Sequence, residues 1–301
     1  YNYIRSCVSE ASQNKRAIQV PTQCGWQADG SFVYNYRVFT PDGKETRVPM
    51  PGLENINRNT SSRGNLKAWQ RLWRTIFVEK PGMDTALSLA VSSFGASLMK
   101  FTEYEGFIWH IGSQWSGTGK SLVLSAQAGV WGHPLRYRTG KGTSPVAMQQ
   151  RAGLLNSMPL LVDEITATQR ANMEWAPSFI FDFAEGQGKE RMESGTNRER
   201  LNLSTWASFA LMSSNRPAVD YMTSTRLHSS EGELRRLIEM AMDEKLEWEP
   251  EEIEIIKSLQ NNYAVAGDVL VRYMVNNVDY LRNLVPKTTQ QMYNEFKAPN
   301  D

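Results

Sequence analysis

The sequence predicts an α/β fold: a central parallel sheet covered by helices on both faces, with a small β-rich module before it and a helical segment after it. Three continuous apolar runs, Phe107–Ile111, Pro159–Val162 and Trp206–Met212, lack the in-and-out alternation of a half-solvated strand. Helical stretches separate them, which is how strands buried on both faces read. Residues Cys24–Val48 differ in kind. They carry Asp29-Gly30 and Asp42-Gly43 around Phe32-Val33-Tyr34-Asn35-Tyr36-Arg37-Val38-Phe39, the signature of short antiparallel strands joined by tight turns.

Composition narrows the function classes. With 301 residues and 41% apolar content the chain can bury a large core, so global disorder is excluded. Lys+Arg (33) and Asp+Glu (32) nearly cancel, so any nucleic-acid contact must rest on local patches. The mean hydropathy of −0.47 and the lack of a long apolar run predict no membrane span. Two cysteines, Cys7 and Cys24, and three histidines without zinc-like spacing predict neither a disulfide framework nor a metal cage, and make a reducing compartment the default. The chain opens at Tyr1 without an initiator Met or a leader-like segment, and so reads as part of something longer.

In chain order, residues 1–62 read as the β-rich module and its linker, 63–230 as the α/β core with its leading helices, and 231–301 as a helical region. Residues 49–64 are rich in Pro, Gly, Asn and Ser and read as linker. Leu66, Trp69, Leu72, Trp73, Ile76 and Phe77 share one helical stripe behind an Asn65 cap, and a second helix runs from Asp84 to Met99 after Pro81-Gly82. From Glu231 the reading is helical to the end, through an acidic stretch (Asp243 to Glu254) and an apolar stripe of Val265, Val269, Leu270 and Tyr273.

The chemistry begins after the first apolar run, at Gly112-Ser113-Gln114-Trp115-Ser116-Gly117-Thr118-Gly119-Lys120-Ser121. A Gly-rich turn between strand and helix aims backbone N–H groups at one point, which suits phosphate. The Lys120 amine can reach the β- and γ-phosphates and the Ser121 hydroxyl can ligate Mg²⁺. Gln114 stands where the G-x-x-x-x-G-K-[ST] pattern has glycine; it is tolerated if that position avoids positive φ, or if Gly112 supplies the freedom instead. Trp115 is expected to pack under the loop. The second apolar run ends in Asp163-Glu164, one carboxylate for the metal and one to polarise water. The third ends in Ser213-Ser214-Asn215, whose amide could orient the attacking water. An arginine pair, Arg235-Arg236, follows.

This ordered set, Gly117-Thr118-Gly119-Lys120-Ser121, Asp163-Glu164, Asn215 and Arg235-Arg236, resembles the AAA+ ATPase core, in the superfamily-three-like helicases of phages, plasmids and integrated elements. The resemblance is nearest to the helicase-like domains that mobile elements fuse to primases. It extends to Cys24-Gly25-Trp26, Gly186-Gln187-Gly188-Lys189-Glu190-Arg191 and Asn262-Tyr263-Ala264-Val265-Ala266-Gly267. It implies an AAA+ P-loop core and an α-helical C-terminal lid. ATP and Mg²⁺ would be bound by Ser116, Gly117, Thr118, Gly119, Lys120 and Ser121, with Asp163 on the metal. Glu164 would be the catalytic carboxylate, Asn215 the sensor amide, and Arg236 or Arg235 a finger acting on a neighbour's nucleotide. It further implies a homo-oligomeric, hexameric ring around single-stranded DNA, a primase or polymerase region in the same longer chain, and the cytoplasm of a bacterial or phage-infected cell.

Two segments are candidates for the DNA backbone. Lys189, Arg191, Arg198 and Arg200 flank a polar hairpin but alternate with Glu190, Glu193 and Glu199, so a solvated hairpin is the alternative. Arg138 and Lys141 belong to a basic loop, Arg136-Tyr137-Arg138-Thr139-Gly140-Lys141. Binding there should be weakly sequence-dependent and strongly salt-dependent. A rival reading shares the phosphate site: a non-translocating ATPase that acts as loader or regulatory switch for protein partners.

Overall fold

The structure, a computed structural model, describes residues 20–140, 142–165, 175–188, 204–220 and 235–296. Within the described residues, four short strands, β1 (Gly25–Trp26), β2 (Phe32–Tyr34), β3 (Arg37–Phe39) and β4 (Glu45–Arg47), form an antiparallel meander of order β1-β2-β3-β4. Gly30 and Gly43 take positive φ (81° and 80°) at two of its turns, where the Asp-Gly pairs place the residue that tolerates it.

The stretch expected as linker contains a helix, α1 (Glu54–Thr60). Its polar composition hides it, because buried polar residues here serve as tethers. Asn57 is fully buried; its side-chain oxygen accepts from the Tyr36 backbone N–H at 3.0 Å and its amide donates to Met50 Sδ. Next come α2 (Leu66–Trp73), which runs on as a π-turn over Arg74–Val78, and α3 (Asp84–Gly95), which tightens to a 3₁₀ turn over Ala96–Phe101. The expected cap is present: Asn65 Oδ1 accepts from the Ala68 N–H at 2.9 Å.

The core sheet alternates with helices: β5 (Gly106–Gly112), α4 (Lys120–Trp131), α5 (Pro145–Leu155), β6 (Leu160–Val162), α6 (Ala176–Ala184), β7 (Ser208–Ser214) and β8 (Leu237–Ala241). All pairings are parallel, in the order β6-β7-β5-β8. Strand β8 corrects the helical reading of residues from Glu231 onward. Glu239 interrupts its apolar run and acidic residues follow it, so it does not read as a buried strand; its pairing with β5 is visible only in three dimensions. Helices α7 (Pro250–Ser258), α8 (Val265–Asn276) and α9 (Val278–Phe296) follow β8. On α8 the buried face is Ala266, Gly267, Val271, Met274 and Val275, while Val269 and Tyr273, expected inside, are exposed. Among the described residues no helix is long and apolar enough to cross a membrane.

The meander docks on the far end of α4. Trp131 is fully buried, its indole N–H donates to Ser93 O at 3.1 Å, and its own carbonyl accepts from Tyr34 Oη at 2.7 Å. Its ring also meets Tyr34 edge-on at 5.7 Å. Trp131→Ala is therefore expected to cost about 3–5 kcal/mol in urea unfolding, with loss confined to stability because Trp131 lies a full helix length from the Gly-rich loop.

Candidate functional site

Parallel strands end on a common edge, and the register brings four loop starts together there. Gly112 pairs with Ser214 and with Ala241, and Val162 pairs with Met212. The carboxyl edge of an open α/β sheet is where such folds bind ligands.

Between β5 and α4 the loop turns on two glycines, Gly117 (φ 82°) and Gly119 (φ 91°). Gln114 is not among the positive-φ residues, and neither is Gly112, so the departure from the glycine pattern has no conformational penalty. The loop is tied on both sides. Ser113 N–H donates to Ser214 O at 3.3 Å, Leu246 N–H to Gly117 O at 3.0 Å, and Met242 N–H to Gly112 O at 3.1 Å. Among the described residues no side chain caps α4, which leaves its first N–H groups available to an anion. A Cβ on Gly119 would lie 2.7 Å from Leu246 Cδ1, whereas one on Gly117 would meet open space. Gly119→Ala is therefore expected to destabilise by about 1–3 kcal/mol and to loosen the 242–246 segment. Gly117→Ala should show the backbone strain alone, which parallel melting curves would separate.

The Lys120 ammonium folds back over the loop, donating to Trp115 O at 3.1 Å and Ser113 O at 3.3 Å. Burial draws its pKa below the usual lysine range; the carboxylates of Glu164, Asp243 and Asp163 oppose that shift. Lysine and the acidic pair thus share one electrostatic neighbourhood. Asp243 also belongs to it, although in the sequence it is only the first member of an acidic stretch. Nothing short of the β8–β5 pairing distinguishes it from its neighbours.

Asp163 follows β6 and is held from two directions: Arg138 Nη1 lies 2.8 Å from Oδ2, and Ser213 Oγ donates to Oδ1 at 3.3 Å. Ser213 Oγ also accepts from the Glu164 N–H at 3.1 Å, so one hydroxyl registers both acidic residues against β7. Glu164 takes φ 58°, a left-handed conformation unusual for a non-glycine residue. Asn215 and Arg216 are exposed at the end of β7.

Arg138 is placed beside this carboxylate by a parallel bridge from Thr139 to Val162 and by burial of Tyr137, whose hydroxyl donates to Pro159 O at 3.0 Å. Its side chain is only 10% exposed. A role for Arg138 on a DNA backbone finds no support in this placement, and Tyr137 offers no surface ring. Lys141, Lys189, Arg191, Arg198 and Arg200 lie outside the described residues.

Arg235 and Arg236 precede β8. Ile108 N–H donates to Arg236 O at 3.0 Å, which sets the pair at the amino edge of the sheet, away from Lys120. Arg236 pairs with Glu185 at 2.9 Å and covers the Phe181 ring. Trp115, expected under the loop, is instead 55% exposed, with Lys245 Nζ 5.6 Å from its ring centre.

Two clefts flank the loop. One of about 480 Å³ runs between Gly82–Ala86 and Ala241–Glu244 and includes Thr118. The other, of about 470 Å³, lies between Gly112–Trp115, Pro217 and Glu239. Thr118 Oγ1 is buried without a hydrogen-bond partner among the described residues. Among the described residues no group of three or more His, Cys, Asp or Glu is arranged to hold a metal by itself.

The fold is shared with a solved structure, "SCCmec type IV Cch - active helicase", at 17% identity and a TM-score of 0.67, over 99% of this chain and 55% of that one. The chain thus spans about half the length of that helicase. A weaker likeness, TM-score 0.41 at 15% identity over 98% of this chain and 68% of that one, is to the apo NrS-1 C-terminal region. No curated protein sequence matches the chain. A family model described as Domain of unknown function (DUF927) matches residues 1–201. Since the match takes in 201 of the 301 residues, with Lys120, Asp163 and Glu164 among them, the chain belongs to the DUF927 family.

Proposed function

We propose that this chain is the ATP-hydrolysing domain of a helicase-type motor in DNA replication, with an AAA+ P-loop core over residues 63–230 and a helical lid within 231–301. The observation that carries this reading is that the Gly-rich loop with Lys120 and the acidic residues 163, 164 and 243 all follow strand ends at the carboxyl edge of the sheet. The carboxylates act on the ammonium through space, beside a helix start that no side chain caps among the described residues. Charge complementarity alone would suit a plain electrostatic cluster. The loop that turns on Gly117 and Gly119 into this helix start is the kind of turn whose backbone N–H groups favour a polyphosphate.

In this reading the residues divide the work. Backbone N–H groups of 116–121 hold the phosphates and Lys120 leaves its two loop carbonyls for the β- and γ-phosphate oxygens. Glu164 accepts a proton from the attacking water, and Asn215 orients that water. The donor set fits a magnesium ion completed by substrate oxygens: Ser121 is exposed one residue after Lys120, Asp163 supplies a hard oxygen, and no protein-only cage exists among the described residues. When bound, that ion supplies neutralisation of the phosphate charge. The Arg138 and Ser213 contacts fix the Asp163 carboxylate in place for it.

Placement of Arg235 and Arg236 at the amino edge supports a shared site. They are too far along the sheet to serve their own nucleotide, so stabilisation of a transferring phosphoryl group by either would act on a neighbouring copy, as in a hexameric ring around single-stranded DNA. ATPase rate per subunit, measured across protein concentration with and without single-stranded DNA, tests this. It is expected to rise with both. A rate indifferent to DNA would favour the nucleotide switch, and no hydrolysis at all would contradict both readings.

A further inference from the structure

His110 is 1% exposed, in the middle of the central strand β5, and its ring bridges the strands on either side. Nδ1 lies 2.6 Å from Glu239 Oε1 on β8, and Nε2 lies 2.9 Å from Ser214 Oγ on β7. A buried imidazole is costly unless both ring nitrogens are satisfied, and one of the two partners His110 meets, Glu239, has a side chain still 23% exposed at the cleft. An apolar residue at position 110 would fill the buried space without that cost, so the arrangement calls for an explanation beyond packing.

Its outer ends supply one. Burial pushes the Glu239 carboxyl upward, but the His110 hydrogen bond and the backbone N–H groups of Ala218 and Val219 outweigh this and hold it below the usual glutamate range. Glu239 accepts from the Ala218 N–H and, at 3.4 Å, from the Val219 N–H. At the other end Ser214 Oγ donates to Arg216 O and accepts from the Arg216 N–H at 3.4 Å. Both branches from the imidazole therefore finish on the backbone of one short segment, 214–219. That segment carries Asn215, and its Pro217 faces Gly112–Trp115 across a cleft that Glu239 also lines.

We propose that His110 and Glu239 are positioning residues that fix the 214–219 segment, and with it the Asn215 amide, against the Gly-rich loop. The inference rests on the nucleotide reading above. It assigns to the sheet interior a function in aligning water with the γ-phosphate, exerted through Asn215 and without touching substrate.

The test uses two conservative variants of the full chain, Glu239→Gln, which keeps shape and removes charge, and Ser214→Ala, which cuts only the second branch. Three quantities are measured: hydrogen exchange of the Ala218 and Val219 amides without nucleotide, affinity for a fluorescent ATP analogue, and steady-state ATP turnover. In Glu239→Gln the two amides are expected to exchange faster, turnover to fall about tenfold or more, and analogue affinity to stay within about threefold. Ser214→Ala should show the same turnover-against-affinity split. Unchanged exchange in Glu239→Gln overturns the tether. Faster exchange with wild-type turnover overturns the link to Asn215, and affinity and turnover falling together in both variants point to general loosening and overturn it as well. If the unaltered chain neither binds nor hydrolyses ATP, the nucleotide reading falls with the catalytic half of this inference, while the exchange data still decide the tether.

Discussion

Lys120→Ala is expected to lower ATP turnover by at least about 100-fold and to weaken binding of ATP analogues, while leaving the melting temperature close to wild type. In the proposed reading the loss follows from removing a preorganised cation where charge would gather on the transferring phosphoryl group. Stability should hold because, among the described residues, the ammonium satisfies two loop carbonyls, and its burial already disfavours the charged form. The carbonyls of Ser113 and Trp115 can turn to water once the amine is gone. Turnover and binding both at wild-type level would remove Lys120 from the phosphate site.

Glu164→Gln should separate the two functions that Lys120→Ala disturbs together. The amide keeps the size of the side chain and the left-handed backbone, so the change isolates one charge. Binding of ATP is expected to persist, and turnover to fall by about 10²–10⁴-fold, the usual worth of a general base. Rapid-mixing measurements should show ATP bound and uncleaved. Glu164→Gly makes the complementary point, since glycine accepts φ 58° without strain. That variant should be as inactive as Glu164→Gln yet more stable by about 1 kcal/mol. Cleavage at wild-type rate by Glu164→Gln would return the role to a neighbour, Asp243 foremost.

How much of this was legible in the sequence depended on whether the signal was local. The Gly-rich loop, the acidic end of Pro159–Val162 and the Asp-Gly turns of the meander are written in adjacent residues, and the α/β class with its parallel sheet follows from the continuous apolar runs. What escaped was long-range. β8 looks helical until His110 pairs with Glu239 across the strand boundary, and α1 looks like linker until Asn57 meets the Tyr36 N–H. Asp243 is one acid among many until β8 ends beside the loop. Ser213 looks like any strand serine until its hydroxyl reaches both Asp163 and Glu164. Trp115 and Arg138 show the opposite limit. Residue type suggested a buried ring and a surface cation, and the turn geometry and the Thr139 bridge reversed both.

The central claim is that residues 113–121 and the acidic residues at 163, 164 and 243 together form a polyphosphate site. A crystal structure of the chain with magnesium and a non-hydrolysable ATP analogue tests it most directly. The expected result is density for the β- and γ-phosphates wrapped by the backbone of 116–121, with the Lys120 amine moved from the Ser113 and Trp115 carbonyls onto their oxygens and Asp163 facing the metal. A triphosphate bound elsewhere, with Lys120 still on those two carbonyls, would contradict the account.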